Sequence, residues 1–493
     1  MSQKVKTILN FSFRTTIVIS ILFVLRSFGY SASEDPNISK GTNCDVTEIT
    51  PQKTIFPAAG GIGGINVKAP EGCSWYASQY CSDCLWYGFW DGMEGKGNGT
   101  ITYWVAENVF ERKRSGKIRV SSIPSGKSKI HRIVQQSANW EDWHVLTLDA
   151  GPRKAKYGRA GRSTSIALDS NDKVHIAYYS DSEDAVKYVT NVNNRWETLV
   201  IDRRIDRLPD ITIGVDNSNK IHIIYNKCNR RWDNWCDDDL YYATNKSGLW
   251  QIQPVDSAKA VGQYSSMAID TTGQLHVAYS ESEAGYSGYG QARLKYARQT
   301  EGSWVSEIVN SSSNLFATMI HLRLDYNGKA HISYMDYNTR NLWYSTNASG
   351  QWESTELHER TGQYNAIAID TSGKVHIFHS PQDWGLWYTT NATGNWKTEL
   401  VRSDANWFNS AAIDLDNVIH ISSFDAFNGV LKYMKVENGA WERCYVDTQV
   451  DSGRYNDIAL DTQGNVHISY HFWSFKNGLD IGSLRYATNL KKN

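Results

Sequence analysis

One spacing constrains this chain more than any other feature. A strand-like segment ends in Asp, and His follows six residues later. The pairs are Asp169/His175, Asp216/His222, Asp270/His276, Asp325/His331, Asp370/His376, Asp414/His420 and Asp461/His467. Turn residues fill the gap, as in Thr271-Thr-Gly273-Gln274, and the next segment alternates, as in His331-Ile-Ser-Tyr334. That pattern is a β-hairpin. A third strand follows, as in Leu342-Trp-Tyr344. Then come a Thr-Asn-x-x-Gly turn and a fourth strand opening with Trp. Each repeat is a four-stranded meander of roughly 45 to 55 residues, the size of a propeller blade.

The tryptophans give a second count. Trp143, Trp196, Trp250, Trp304, Trp352, Trp396 and Trp441 open the fourth strands. Six residues later stand Asp149, Asp202, Asp256, Asn310, His358, Arg402 and Asp447. The two counts are offset. The first Trp strand precedes the first hairpin, and the last hairpin has no Trp after it. Residues 143–149 are therefore expected to supply the outer strand of the last blade, which joins the chain ends and leaves no open edge. The expected fold is all-β, with a seven-bladed β-propeller over residues 140–489. The repeat resembles the propellers of sialidases and lectins. The sialidase Asp-box itself, Asp-x-Gly with a terminal Trp, is not matched by Asp-x-x-Gly-x-x-His here.

The N-terminus reads as a signal peptide over residues 1–31. Lys4, Lys6 and Arg14 precede an apolar run at 17–25, and the small residues Gly29, Ser31 and Ala32 follow. The alternative is an uncleaved membrane anchor, but the run is short for a span. A secreted, periplasmic or cell-surface protein is expected. The seven cysteines fit an exported chain. Cys228 and Cys236 bracket one loop and are expected to bridge. Cys44, Cys73, Cys81 and Cys84 have room for two bridges, with the pairing open.

Residues 44–137 lack the repeat and read as short strands between Gly-rich turns, a small β-sandwich. Ile49-Thr-Pro51, Phe56-Pro-Ala-Ala-Gly60-Gly61, Gly64-Ile-Asn-Val67, Cys73-Ser-Trp75, Gly97-Asn-Gly99-Thr-Ile-Thr-Tyr103, Arg114-Ser-Gly116 and Gln135-Gln136 resemble the BACON domain. That resemblance implies an Ig-like fold and an association with carbohydrate or mucin. The sequence departs from the family between Tyr80 and Trp90, where Cys81, Cys84, Trp86 and Tyr87 crowd one loop.

Charge is balanced at formal net −1, which argues against nucleic acid as a partner, since phosphate binding needs a basic face. No cofactor or metal is expected. A monomer is expected, with membrane contact only through an uncleaved N-terminal segment. A residue present in every blade serves what every blade needs, so the repeated Asp and His read as hairpin scaffold rather than as catalysts. The repeated Tyr and Trp read as filler between blades.

Function should then sit where the repeats disagree. Seven residues before each Asp stand Arg162, Pro209, Gln263, Thr318, Gln363, Trp407 and Arg454. Six residues before it stand Ser163, Asp210, Tyr264, Met319, Tyr364, Phe408 and Tyr455. Aromatic faces stack on sugar rings, and Gln and Arg bind hydroxyls or carboxylates. Arg162, Gln263, Tyr264, Gln363, Tyr364, Trp407, Arg454 and Tyr455 are the expected ligand-binding set, joined by Trp232 and Trp235 on the Cys228 loop. This pattern points to a carbohydrate-binding, lectin-like protein for glycans or glycoproteins. A polysaccharide lyase or sialidase-like hydrolase acting on acidic glycans is the alternative, with His379, His471, Tyr455, Arg162 and Arg454 as its candidates. A protein-adhesion platform is a third. Arg323 is a further exception, because Ala or Gly holds its position in the other repeats.

Overall fold

The computed structural model describes residues 44–490 except 58–59, 81–85, 107, 109–112, 137–142, 152–156, 159, 207, 233–234, 259, 283–291, 301, 313–314, 382–384, 403–405, 438 and 477–478. The described chain is strand and turn throughout. It divides into two compact units. One contains Ile62–Trp104 and Gly116–Ile133; the other contains Val134–Asn493, with Ile55–Gly61 and Val105–Ser115.

Residues 44–136 form two sheets, of four and five strands. Burial alternates along their strands, as in Gly99–Val105, where Ile101, Tyr103 and Val105 are buried. Trp75 is buried, and its indole donates to the Gly97 carbonyl at 2.7 Å. Gly95 and Gly99 lie against that indole, where an added Cβ would sit 2.4 and 2.5 Å from ring atoms. Cys44 and Cys73 form a disulfide. Cys81 and Cys84 lie outside the described residues, as does the expected signal segment.

The rest of the chain is built from the repeat. Among the described residues it forms seven antiparallel meanders, numbered here as sheets 1 to 7. Their first strands are Ala160–Leu168, Ile211–Val215, Val261–Ile269, Ala317–Leu324, Gln363–Ile369, Asn406–Ile413 and Ser452–Leu460. Each first strand touches the next, and the seventh touches the first, so they ring a central space. His144–Asp149 pairs antiparallel with Leu479–Thr488 and forms the outer strand of sheet 7, where the offset of the two counts places it.

The hairpin Asp does two jobs. Asp169 Oδ1 accepts the N–H groups of Asn171 and Lys173, which closes the turn. Its Oδ2 faces His175 Nε2, and across the seven sheets this Asp–His distance runs from 3.1 to 3.6 Å. The His Nδ1 meets a third-strand Tyr hydroxyl, as at Tyr188 at 2.6 Å. A carboxylate only accepts, so Nε2 carries the proton and Nδ1 accepts from Tyr. Burial lowers the pKa of all seven imidazoles, although the Asp partner opposes it. The same Tyr receives the edge of the next sheet's Trp. Trp250 meets Tyr188 at 5.3 Å, and Trp143 meets Tyr433 at 5.4 Å.

The core lies between neighbouring sheets rather than in one centre. One cluster joins Ala177 and Val186 of sheet 1 to Ile213 and Ile223 of sheet 2. A polar staple crosses the same seam. Asp202 of sheet 1 accepts from Tyr225 and Lys227 of sheet 2 at 2.8 and 2.9 Å. Asp256 does the same for Tyr279 and Lys295, and Asp447 for Tyr470 and Arg485.

Candidate functional site

Side chains alternate along a strand, so every second first-strand residue faces the central space. Counted back from the hairpin Asp, the inward rings fall at six, four and two residues. The Asp turns themselves surround a hollow at the other end.

The outermost ring is Ser163, Asp210, Tyr264, Met319, Tyr364, Phe408 and Tyr455. All seven line a central cavity of about 730 Å³, within the range of small-ligand sites. Six of them, all but Asp210, have left-handed backbone, with φ from 46° to 54°. Bulky side chains avoid that region, and each instance costs on the order of 1–3 kcal/mol. The cause is a β-bulge. In sheets 1 and 3 to 7 the register between first and second strand slips at this point, as between Gln363 and Ala366. The side chain at the bulge lines the cavity.

Neighbouring sheets hold the bulges in place. Asn365, Asn409 and Asn456, each one residue further along, donate to the carbonyls of Met319, Tyr364 and Phe408 at 2.7–2.8 Å. Asp210 accepts the Tyr264 N–H at 2.7 Å. The rings of sheets 5, 6 and 7 therefore form a continuous arc. Tyr364 and Phe408 lie 5.1 Å apart, and Phe408 and Tyr455 4.8 Å apart. Trp407 stacks on Tyr364 at 5.7 Å. These aromatic faces are half-buried and open to the cavity.

The ring four residues back is Ser165, Thr212, Ser266, His321, Ala366, Ser410 and Asp457. Asp457 has no spare acceptor capacity. It takes Ser165 Oγ at 2.8 Å, Ile166 N at 3.0 Å, Ser410 Oγ at 2.7 Å and Ile458 N at 3.0 Å, which ties sheets 6, 7 and 1 together. His321 is held neutral, its pKa pushed down to about 3 by burial and then by the Arg323 charge. The ring two residues back is Ala or Gly except for Arg323, which lines the same cavity.

The expected site residues divide. Tyr264, Tyr364 and Tyr455 line the cavity, and Trp407 backs the arc. Gln263 also lines it, but its amide is tied to Asp238 at 2.7 Å. Arg162, Gln363 and Arg454 do not line the cavity. Arg162 pairs with Asp181 at 2.8 Å and lies beside Tyr455, and both partners outweigh burial and raise its pKa. Arg454 pairs with Asp451 at 3.3 Å and lies over the Phe424 and Trp473 rings.

Two of the candidate bases are buried. His379 is fully buried, with Nδ1 against the Thr361 carbonyl at 3.0 Å and Nε2 against Thr389 Oγ1 at 2.8 Å. It occupies the position where sheets 1 to 4 and 7 place the staple Tyr. His471 is buried with Nδ1 against the Ala160 carbonyl at 2.9 Å. Cys228 is disulfide-bonded. The side chains of Cys236, Trp232 and Trp235 lie outside the described residues. The residues missed from sequence are His321, the three Asn and Asp457. Comparing blades at the deeper inward positions would have found His321, the imidazole in a ring otherwise of Ser, Thr, Ala and Asp.

A ring of four-stranded antiparallel sheets around a central cavity is a β-propeller, and this one carries an aromatic mouth. No family model and no curated protein matches the chain. Similar solved structures include a polysaccharide lyase, at 10% identity, covering 69% of this chain and 92% of that one, with a TM-score of 0.46. A Hadza microbial sialidase has 11% identity, 82% and 94% coverage and a TM-score of 0.42. Aleuria aurantia lectin, solved with Fucα1-6GlcNAc, has 11% identity, 62% and 98% coverage and a TM-score of 0.41. Similarity at this level says nothing of what this chain binds.

Proposed function

We propose that the chain is an exported glycan-binding protein, and that the sugar stacks at the mouth of the central cavity against Tyr264, Tyr364, Phe408 and Tyr455. In this reading the seven sheets are the blades of a seven-bladed propeller. Residues 44–137 are an Ig-like, BACON-type module behind a cleaved signal peptide, and the protein is a monomer at the cell surface or beyond it.

One observation carries the binding site. Bulky aromatic residues keep a disfavoured left-handed backbone in adjacent sheets, and the result is an open arc of ring faces over a cavity. The bulge recurs at Ser163 and Met319 and belongs to the scaffold; what differs between sheets is the half-exposed aromatic face it carries in sheets 3, 5, 6 and 7. Sugar rings present C–H-rich faces that such an arc can cover, while Asp210 and Ser163 offer polar edges across the mouth.

The test is a glycan array on the full chain, followed by calorimetry on the best ligand. Tyr364→Ala and Tyr455→Ala should each weaken binding about tenfold, from the loss of roughly 1–2 kcal/mol of aromatic contact. Unchanged affinity in the double variant would remove the mouth as the site.

A further inference from the structure

We propose that the inner wall of the cavity holds an anion site, in which Arg323, with His321 beside it, takes a carboxylate carried by the bound glycan. This rests on the glycan reading above and adds the ligand's charge.

Arg323 is anomalous in three ways. Its position is Ala167, Gly214, Ala268, Ala368, Ala412 and Ala459 in the other sheets, so no sheet needs an arginine there. Its guanidinium also reaches from sheet 4 to sheet 6. It donates to the Leu322 carbonyl at 3.0 Å and to the Ala411 carbonyl at 3.4 Å. Sheet 5 stands between, and its two deeper inward residues are Ala366 and Ala368. Both are 2% exposed, whereas Ala167, Ala268, Ala412 and Ala459 are only partly buried. The small side chains of sheet 5 leave the space that the arginine crosses.

The third anomaly is charge. Among the described residues Arg323 forms no ion pair, and its two bonds use two of five N–H donors. Burial lowers its pKa, and the charge of Asp457, a carboxylate held by four neutral donors, opposes that shift through space. Arg323 itself lines the cavity. A guanidinium in a low-dielectric wall prefers an anion to a neutral hydroxyl, and a carboxylate fits its fork. His321 forms no hydrogen bond with the described protein and is neutral, so its ring offers one donor and one acceptor to a sugar hydroxyl alongside. The mouth ring lies two residues outside His321, roughly 7 Å along the strand. One ligand of sugar size can therefore touch both. The arginines first expected to bind an anion, Arg162 and Arg454, already hold Asp181 and Asp451.

The test is calorimetry on the full chain with sodium glucuronate, glucose and sodium acetate at fixed ionic strength. Acetate probes the anion site without any sugar. Arg323→Ala should fold, because Ala stands at this position in five other sheets. The expected result is glucuronate bound about tenfold or more tighter than glucose, acetate binding that is measurable, and both advantages lost in Arg323→Ala. If acetate binds through Arg323 and no sugar does, the anion site stands and the glycan reading falls. If sugars bind but glucuronate and glucose are equal, or Arg323→Ala keeps the preference, the anion site is overturned and the glycan reading survives.

Discussion

The strand that closes the ring makes one prediction whose size follows from its contacts. Asp149 lies on His144–Asp149, far in sequence from the sheet it completes. Its Oδ2 accepts Tyr178 Oη at 2.6 Å and Lys187 Nζ at 2.7 Å, both on sheet 1, and its Oδ1 accepts Gly151 N at 2.8 Å. Burial works against the charge, but these bonds prevail and hold the carboxyl below its usual range. The Lys187 side chain is only 9% exposed. Asp149→Ala leaves that cation with Glu183 alone, at 3.1 Å, and leaves the Tyr178 hydroxyl unpaired. Breaking a buried pair costs about 3–5 kcal/mol, and the surviving Glu183 contact favours the lower end. The lost Tyr bond adds about 1 kcal/mol, so the expected loss is about 3–4 kcal/mol. Asp202→Ala is the control at an ordinary seam. Its lysine is 20% exposed, so its loss should be smaller. Urea unfolding gives the energies, and hydrogen exchange locates the effect. In Asp149→Ala, amides of His144–Asp149 and Leu479–Thr488 should lose protection first. A loss under about 1 kcal/mol, or unchanged exchange in those two strands, would refute the closure staple.

Acid should destabilise the fold early. Burial lowers the pKa of the seven hairpin imidazoles, and takes His321 and His379 to about 3, while an unfolded histidine titrates near 6.5. The unfolded chain therefore binds more protons below about pH 6.5, and stability falls as pH drops through that point. Below about pH 4 the stapled carboxylates of Asp149 and Asp256, whose pKa values are lowered, add to the loss. A melting temperature that stays level from pH 7 to pH 5 would contradict this. Cys44→Ser should cost the N-terminal unit about 3–4 kcal/mol, from the 29-residue separation of the bridged cysteines, and urea unfolding of the full chain reads it. Gly161→Ala should cost about 2–4 kcal/mol. Its φ is +88°, and a Cβ would sit 2.5 Å from Leu484 Cα. A variant as stable as the parent would mean that this seam can open.

What sequence can see here is set by periodicity. The Asp–His and Trp spacings are rigid because every sheet repeats the same hairpin and the same seam, so counting them yields the meanders and the closing strand. The candidate rim breaks that arithmetic at one point. Counting back from Asp works at four residues and at two, where Asp457 and Arg323 do face the cavity. At six and seven residues the bulge intervenes. Tyr364 lines the cavity there, as the alternation from positions four and two gives, while Gln363 and Arg454 do not. The bulge leaves no glycine to mark it, because the left-handed residue is Ser, Met, Phe or Tyr. Its trace is instead the Asn that follows in sheets 5, 6 and 7, the residue that clamps the neighbouring bulge. His379 was opaque for the opposite reason. It differs from its counterparts, so it reads as functional, yet it fills the Tyr position of a seam whose Asp is replaced by His358, with the two rings 5.9 Å apart. Both halves of that staple changed together, which marks a repacked seam. At Arg323 the carboxylate that departs from its own ring, Asp457, acts only through space and forms no ion pair with the guanidinium among the described residues. A direct partner is what the proposed anion would supply.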